Sequence, residues 1–99
     1  MITEIAHLTI DPARADAFEA AVAGCAELFR AAPGCRAMRL EREIEYSGRY
    51  RLVVGWDTVE DHTVTFRGSE AFATWRAAAG PFFVAAPEVV HTEVAAQPF

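Results

Sequence analysis

Lysine is absent from this sequence; all nine basic residues are arginine. That excludes lysine Schiff-base chemistry and the P-loop lysine. Asparagine is absent too, and Gln97 is the only side-chain amide; with twenty alanines, this fits a GC-rich coding sequence better than any chemistry. A basic excess is missing: fourteen acids outnumber nine bases, for a net charge of −5, which argues against a nucleic-acid partner. Cys25 and Cys35 are the only cysteines and form neither a CxxC nor a Cys/His cluster at zinc spacing, so no metal site is expected. They are too few for a disulfide scaffold and read as reduced, small core residues. Long apolar runs are missing. The longest nearly uncharged stretch, Ala77 to Pro87, is too short to span a bilayer and is broken by Gly80, Pro81 and Pro87. The N-terminus, Met1-Ile2-Thr3-Glu4-Ile5, opens with an acid and lacks the basic region of a signal peptide. The expectation is a soluble cytoplasmic protein, one domain over residues 1–99, with no membrane or nucleic-acid partner.

What is present is periodic. Met1–Ile10 reads as a strand, with Ile2, Ala6, Leu8 and Ile10 on one face and Ile5, His7 and Thr9 on the other. Glu4 falls in phase with Ala6 and Leu8, either frayed and exposed or a carboxylate at a pocket mouth. Asp11-Pro12 is an N-cap followed by proline at the first helical position. Phe18, Val22, Cys25 and Phe29 then mark one face of a helix that Pro33-Gly34 stops. Arg36–Tyr46 alternates again, with Met38, Leu40, Ile44 and Tyr46 sharing one face. Ser47-Gly48 is a tight turn, and Arg49–Trp56 returns with Leu52-Val53-Val54-Gly55-Trp56 apolar on both faces, as in a central strand. Asp57/Glu60 and Thr58/Asp61 are overlapping capping boxes for a short helix to about Phe66. Ser69 caps a further helix bearing Phe72, Trp75 and Arg76, ended by Gly80-Pro81. Glu88–Val94 is the last strand.

Strand, long helix, strand, strand, helix, strand is the ferredoxin-like split βαβ order: an α+β fold with a four-stranded antiparallel sheet and both helices on one face. The other face is expected to carry Ile5, His7, Thr9, Val53, Val89 and His91 among Arg39, Glu41, Glu43 and Arg51. So much apolar area implies a homodimer joined through the sheets, with His7 and His91 as paired polar groups in the interface.

The stretch Val53-Val54-Gly55-Trp56-Asp57-Thr58-Val59-Glu60-Asp61-His62, then Phe66-Arg67-Gly68-Ser69, Phe72-Ala73-Thr74-Trp75-Arg76 and Val90-His91, resembles the antibiotic biosynthesis monooxygenase (ABM) domain family. The pattern W-x(5)-H-x(3)-F-x(5)-F-x(2)-W-R and the element order carry that resemblance over nearly the whole chain. It implies a dimeric α/β barrel with a ligand pocket between sheet and helices in each subunit. Some members of that family use O2 without metal or flavin to oxidise polyketide phenols or quinols. This chain is similar to those quinone-forming members at Trp56 and Arg76, but His62 stands where they tend to have Tyr and Leu52 where they carry Asn. A sister branch degrades haem. Trp75 matches it, but Ala6 and a residue near Ala85 stand where it places its Asn and its iron-binding His, so haem is not an expected substrate.

The resemblance implies no cofactor, a small aromatic or apolar ligand, and a set of site residues, each with an ordinary structural alternative. His62 is either a capping residue or the base that takes a phenol's proton before electron transfer to O2. Arg76 is either a solvated charge or the cation that stabilises phenolate or superoxide. Trp56 and Trp75 are core, or walls that orient a flat aromatic, with Phe66, Phe72, Phe82 and Phe83 completing the wall. Two functions follow: a cofactor-independent monooxygenase, or a non-catalytic barrel that binds or senses a small apolar ligand. His62 and Arg76 lining one pocket favours the first; both in solvent favours the second.

Overall fold

The computed structural model describes residues 1–99. Its strands are β1 (Ile2–Thr9), β2 (Cys35–Arg42), β3 (Arg49–Trp56) and β4 (Glu88–Thr92). Helices α1 (Ala15–Ala23), α2 (Ala26–Arg30) and α3 (Glu70–Ala79) pack on one face of the sheet. The strands lie in the order β2-β3-β1-β4, all antiparallel, which is the expected ferredoxin-like α+β fold. The doubly apolar β3 is an inner strand, and β4 is an edge.

Phe18, Val22, Cys25 and Phe29 are all buried, as their spacing requires. They do not share one continuous helix. Gly24 and Cys25 interrupt it: the Gly24 N–H is shared between Ala20 and Val22 carbonyls, and Cys25 N–H bonds Val22 O at 3.0 Å. Glycine's low helix propensity lets the turn tighten there, and the chain restarts half a turn on without moving the apolar stripe off the core.

Two strand ends also differ from the pattern. β2 stops at Arg42, leaving Ile44 and Tyr46 exposed at 94% and 58%. The turn is anchored elsewhere: Gly48, at φ 83°, accepts from Ile10 N at 2.8 Å, and a Cβ there would lie 2.5 Å from Ile10 O. β4 ends at Thr92 instead of Val94.

The larger correction is the phase of β4. Its register pairs Glu4 with His91, Ile5 with Val90 and Ala6 with Val89. Paired residues share a face, so Val89 and His91 point toward the helices and Val90 points outward. Val89-Val90-His91 is apolar on both phases, and a one-residue shift exchanges the faces. The outer face therefore carries a row Arg39–Val53–Ile5–Val90 and a row Glu41–Arg51–His7–Glu88. His7 and His91 lie on opposite faces, so they are not the interface pair the pattern implied. No helix is long and apolar enough to cross a membrane.

Candidate functional site

The inward row Met38–Val54–Glu4–His91 crosses the sheet beneath the segment that follows β3. That segment, Asp61–Phe66, is one turn of π-helix. Thr58 Oγ1 caps it, accepting from Asp61 N at 3.1 Å, and Arg67 N bonds His62 O at 3.1 Å across five residues. Thr63, Val64 and Thr65 are three β-branched residues in succession, which weakens the preference for a regular α-turn. Such wide turns are rare and recur at functional sites. This one lowers His62 onto the sheet, where the residue is only 3% exposed.

His62 is held on three sides. Its ring stacks on Trp56 with centroids 5.5 Å apart and planes 21° apart. Its Nε2 lies 3.3 Å from Glu4 Oε1, and its Nδ1 lies 2.8 Å from His91 Nε2. Trp56 Nε1 donates to the same Glu4 oxygen at 3.0 Å. Glu4 is thus a buried carboxyl, 5% exposed, as its phase with Ala6 and Leu8 allowed. Both contacts fall on Oε1. Oε2 accepts no hydrogen bond and is not a buried orphan, and Glu4 lines the cavity described below.

Burial sets the charge states. It pushes the His62 imidazolium down to about 4, with the Arg67 cation and His91 acting in the same direction. His62 is therefore neutral at neutral pH. Burial also raises the Glu4 carboxyl above its ordinary 4.5, against the Trp56 hydrogen bond and Arg67, which favour the anion. The three groups form a chain, Glu4 to His62 to His91, and do not converge on one point; no set of three or more His, Cys, Asp or Glu side chains is arranged to hold a metal.

The chain borders a cavity of about 270 Å³ between the sheet and α3. Glu4, Ala6, Leu8, Leu52 and Val89 form its sheet side, and Trp75, Phe72 and Phe83 its aromatic side. His62, Arg67 and Arg76 also line it, so the expected base and cation meet in one pocket. Arg76 sits over the Phe72 ring at 5.9 Å. The other aromatics are placed differently. Trp56 is wholly buried and does not line the cavity, supporting its wall from behind through Glu4 and His62. Phe66 packs behind it, between Trp56, Phe29 and Phe72, and Phe82 lies against Phe18 beneath Arg14. Ala6 lines the cavity and Ala85 does not.

Sequence reasoning missed two members. Arg67 carried no signal beyond following Phe66, and becomes a cavity residue only through the π-turn. His91 was assigned to the wrong face because its strand has no readable phase.

A family model described as antibiotic biosynthesis monooxygenase matches residues 1–78. The chain is 34% identical over 91 residues to the uncharacterized protein YczJ of Bacillus subtilis (strain 168), covering 92% of this chain and 96% of that protein. Its fold superposes on a Bordetella bronchiseptica crystal structure assigned to the antibiotic biosynthesis monooxygenases, with TM-score 0.93, 43% identity and coverage of 96% and 97% of the two chains. SnoaB, a cofactor-independent oxygenase from Streptomyces nogalater, shares the fold at TM-score 0.80 and 19% identity, covering 98% of this chain and 95% of that one. By the span of the family match and by the relatives that share its fold over nearly the whole length, this chain belongs to the antibiotic biosynthesis monooxygenase family.

Proposed function

We propose that the protein is a cofactor-independent monooxygenase that oxidises a small aromatic, a quinol or a polyketide-type phenol, with O2 in the cavity between sheet and helices. One observation carries this reading: a buried carboxyl–imidazole pair, Glu4 and His62, borders an aromatic-walled cavity that Arg76 also lines. The similarity of fold to SnoaB adds that this architecture hosts oxygen chemistry without a cofactor. A cavity of ~150 Å³ accepts benzene, so about 270 Å³ suits roughly two fused rings, with larger ones reaching the mouth.

The reaction needs a base and a cation. The Glu4–His62 pair takes the substrate's acidic proton, and the electron pair stays on the ring as a phenolate beside Arg76. One electron passes to O2, giving a substrate radical and superoxide, which join as a peroxide on the ring carbon. The peroxide takes up the proton, the carbon loses its second hydrogen as a proton, and the O–O bond breaks. A CH2 group and O2 thus become a carbonyl and water. Trp75, Phe72 and Phe83 hold the ring flat and exclude water, while Trp56 fixes Glu4 from behind. The working form is a homodimer in the cytoplasm, joined where Ile5, Val53 and Val90 form an apolar row on the outer face.

The test is oxygen uptake with a panel of quinols and anthrone-like phenols, with chelator present and no added cofactor. Protein-dependent uptake that yields the quinone supports the proposal. Tight binding of the same aromatics with no uptake would instead make the protein a non-catalytic binding module.

A further inference from the structure

We propose that Glu4 is the group that takes the substrate's proton, and that His62, in close contact with it, and His91, hydrogen-bonded to His62, form a relay connecting it to solvent. This rests on the oxygenase reading above and adds an assignment of roles within it. One ring nitrogen of His62 is hydrogen-bonded to His91 and the other lies against Glu4 at 3.3 Å, so neither meets the cavity without a neighbour. Glu4 lines the cavity with its Oε2 accepting no hydrogen bond. At the other end, His91 lies half-buried on the edge strand β4 and is not part of the cavity wall, so the chain runs from the cavity outward.

The proton count closes. With Glu4 ionised, Trp56 Nε1–H donates to Oε1, His62 Nε2–H faces the same oxygen at 3.3 Å, and His91 Nε2–H donates to His62 Nδ1. The substrate's O–H or C–H bond breaks, an O–H bond forms at Oε2, and the electron pair remains on the substrate. Glu4 later returns that proton to the peroxide. When a ligand plugs the cavity, exchange with solvent runs along the chain. A proton arriving at His91 Nδ1 moves His91 Nε2–H to His62 Nδ1 and His62 Nε2–H to Glu4 Oε1; the reverse sequence returns a proton so delivered from Oε1 to solvent, whereas the one taken from the substrate at Oε2 leaves through the peroxide. Glu4 is faced by His91 from β4, by His62 and Arg67 from the π-turn, and by Trp56 and Cys35 at the sheet. Its burial raises its pKa, so activity is expected to rise with pH through a midpoint above 4.5.

The experiment measures oxygen uptake with anthrone across pH for the wild type, Glu4→Gln and His91→Phe, with and without added imidazole. An infrared titration of the carboxylic acid carbonyl is run on each protein. Glu4→Gln keeps the acceptor for Trp56 and His62, so it should fold, lose ~10²–10⁴-fold in kcat with little change in KM, and lose the acidic limb of the profile. His91→Phe should lower kcat by roughly tenfold, with imidazole restoring it. The wild-type infrared band should titrate, vanish in Glu4→Gln and shift its midpoint in His91→Phe. Full activity in Glu4→Gln overturns the assignment of the base, and full activity in His91→Phe overturns the relay. If the wild type oxidises none of the aromatics, the oxygenase reading and Glu4's part in it both fail. The infrared arm then decides separately whether Glu4 and His91 are coupled: an unshifted midpoint refutes the chain itself.

Discussion

Below pH 6.5 the protein is expected to lose stability through one imidazole. In the unfolded chain His62 takes a proton near 6.5; in the folded chain burial holds that step off until about 4. A depressed folded-state value means a contribution fully present above 6.5 and lost as pH falls toward 4. At ~1.4 kcal/mol per pH unit, the gap amounts to about 3 kcal/mol, a large part of the ~5–15 kcal/mol that holds a domain of this size together. Each kcal/mol moves the melting temperature of a domain this size by roughly 4–8 °C, so the melt should fall by something like 12–24 °C. Glu4 opposes this. Its folded pKa is raised, so between its raised value and 4.5 the native state binds the extra proton, and stability rises as pH falls. The assay is urea unfolding at half-unit steps from pH 7 to 4.5, above the range where the surface carboxylates Glu19, Glu41 and Asp57, all held low by arginine or tyrosine contacts, begin to matter. Glu4→Gln should steepen the loss, because the offset is gone. His62→Gln should flatten it or reverse its sign, because only the Glu4 contribution remains. A His62→Gln protein with the wild-type pH slope would refute the reasoning.

Three further outcomes are expected. Gly34 holds φ 79°, and a Cβ there would sit on the Asp61 carboxylate at the start of the π-turn; Gly34→Ala should cost ~1–2 kcal/mol or more in urea unfolding, and unchanged stability would mean the turn is not braced there. Arg76→Gln should lower kcat for oxygen uptake by ~10²-fold with the fold intact, the usual loss for a removed oxyanion donor, and an unchanged rate would return Arg76 to a solvated helix charge. Light scattering at micromolar concentration should give a mass of two chains, and Val53→Asp, which sets a charge in the outer apolar row, should give one; a wild-type mass of one chain would reject the sheet-to-sheet dimer.

Periodicity alone determined the element order, the inner position of β3 and the buried stripe of Phe18, Val22, Cys25 and Phe29, because strand and helix spacing are local properties of the chain. Most caps were equally legible: Asp11 accepts from Ala13 N, Thr58 from Asp61 N and Ser69 from Phe72 N, each a contact within three residues, whereas the Asp57/Glu60 box does not form because Arg36 takes the Asp57 carboxylate. Glu4 was half legible, since its phase with Ala6 and Leu8 pointed it inward but could not say what it would meet. The site itself was decided by tertiary structure. Glu4 and His62 are joined across fifty-eight positions, and His62 and His91 across twenty-nine. Both contacts depend on a widened turn and on the register of an edge strand. Neither has a period in the sequence: a π-turn replaces an α-turn without changing which residues are apolar, and Val89-Val90 fits either face of β4. Hydrophobic pattern specifies what is buried, and only the packed register determines which buried groups touch.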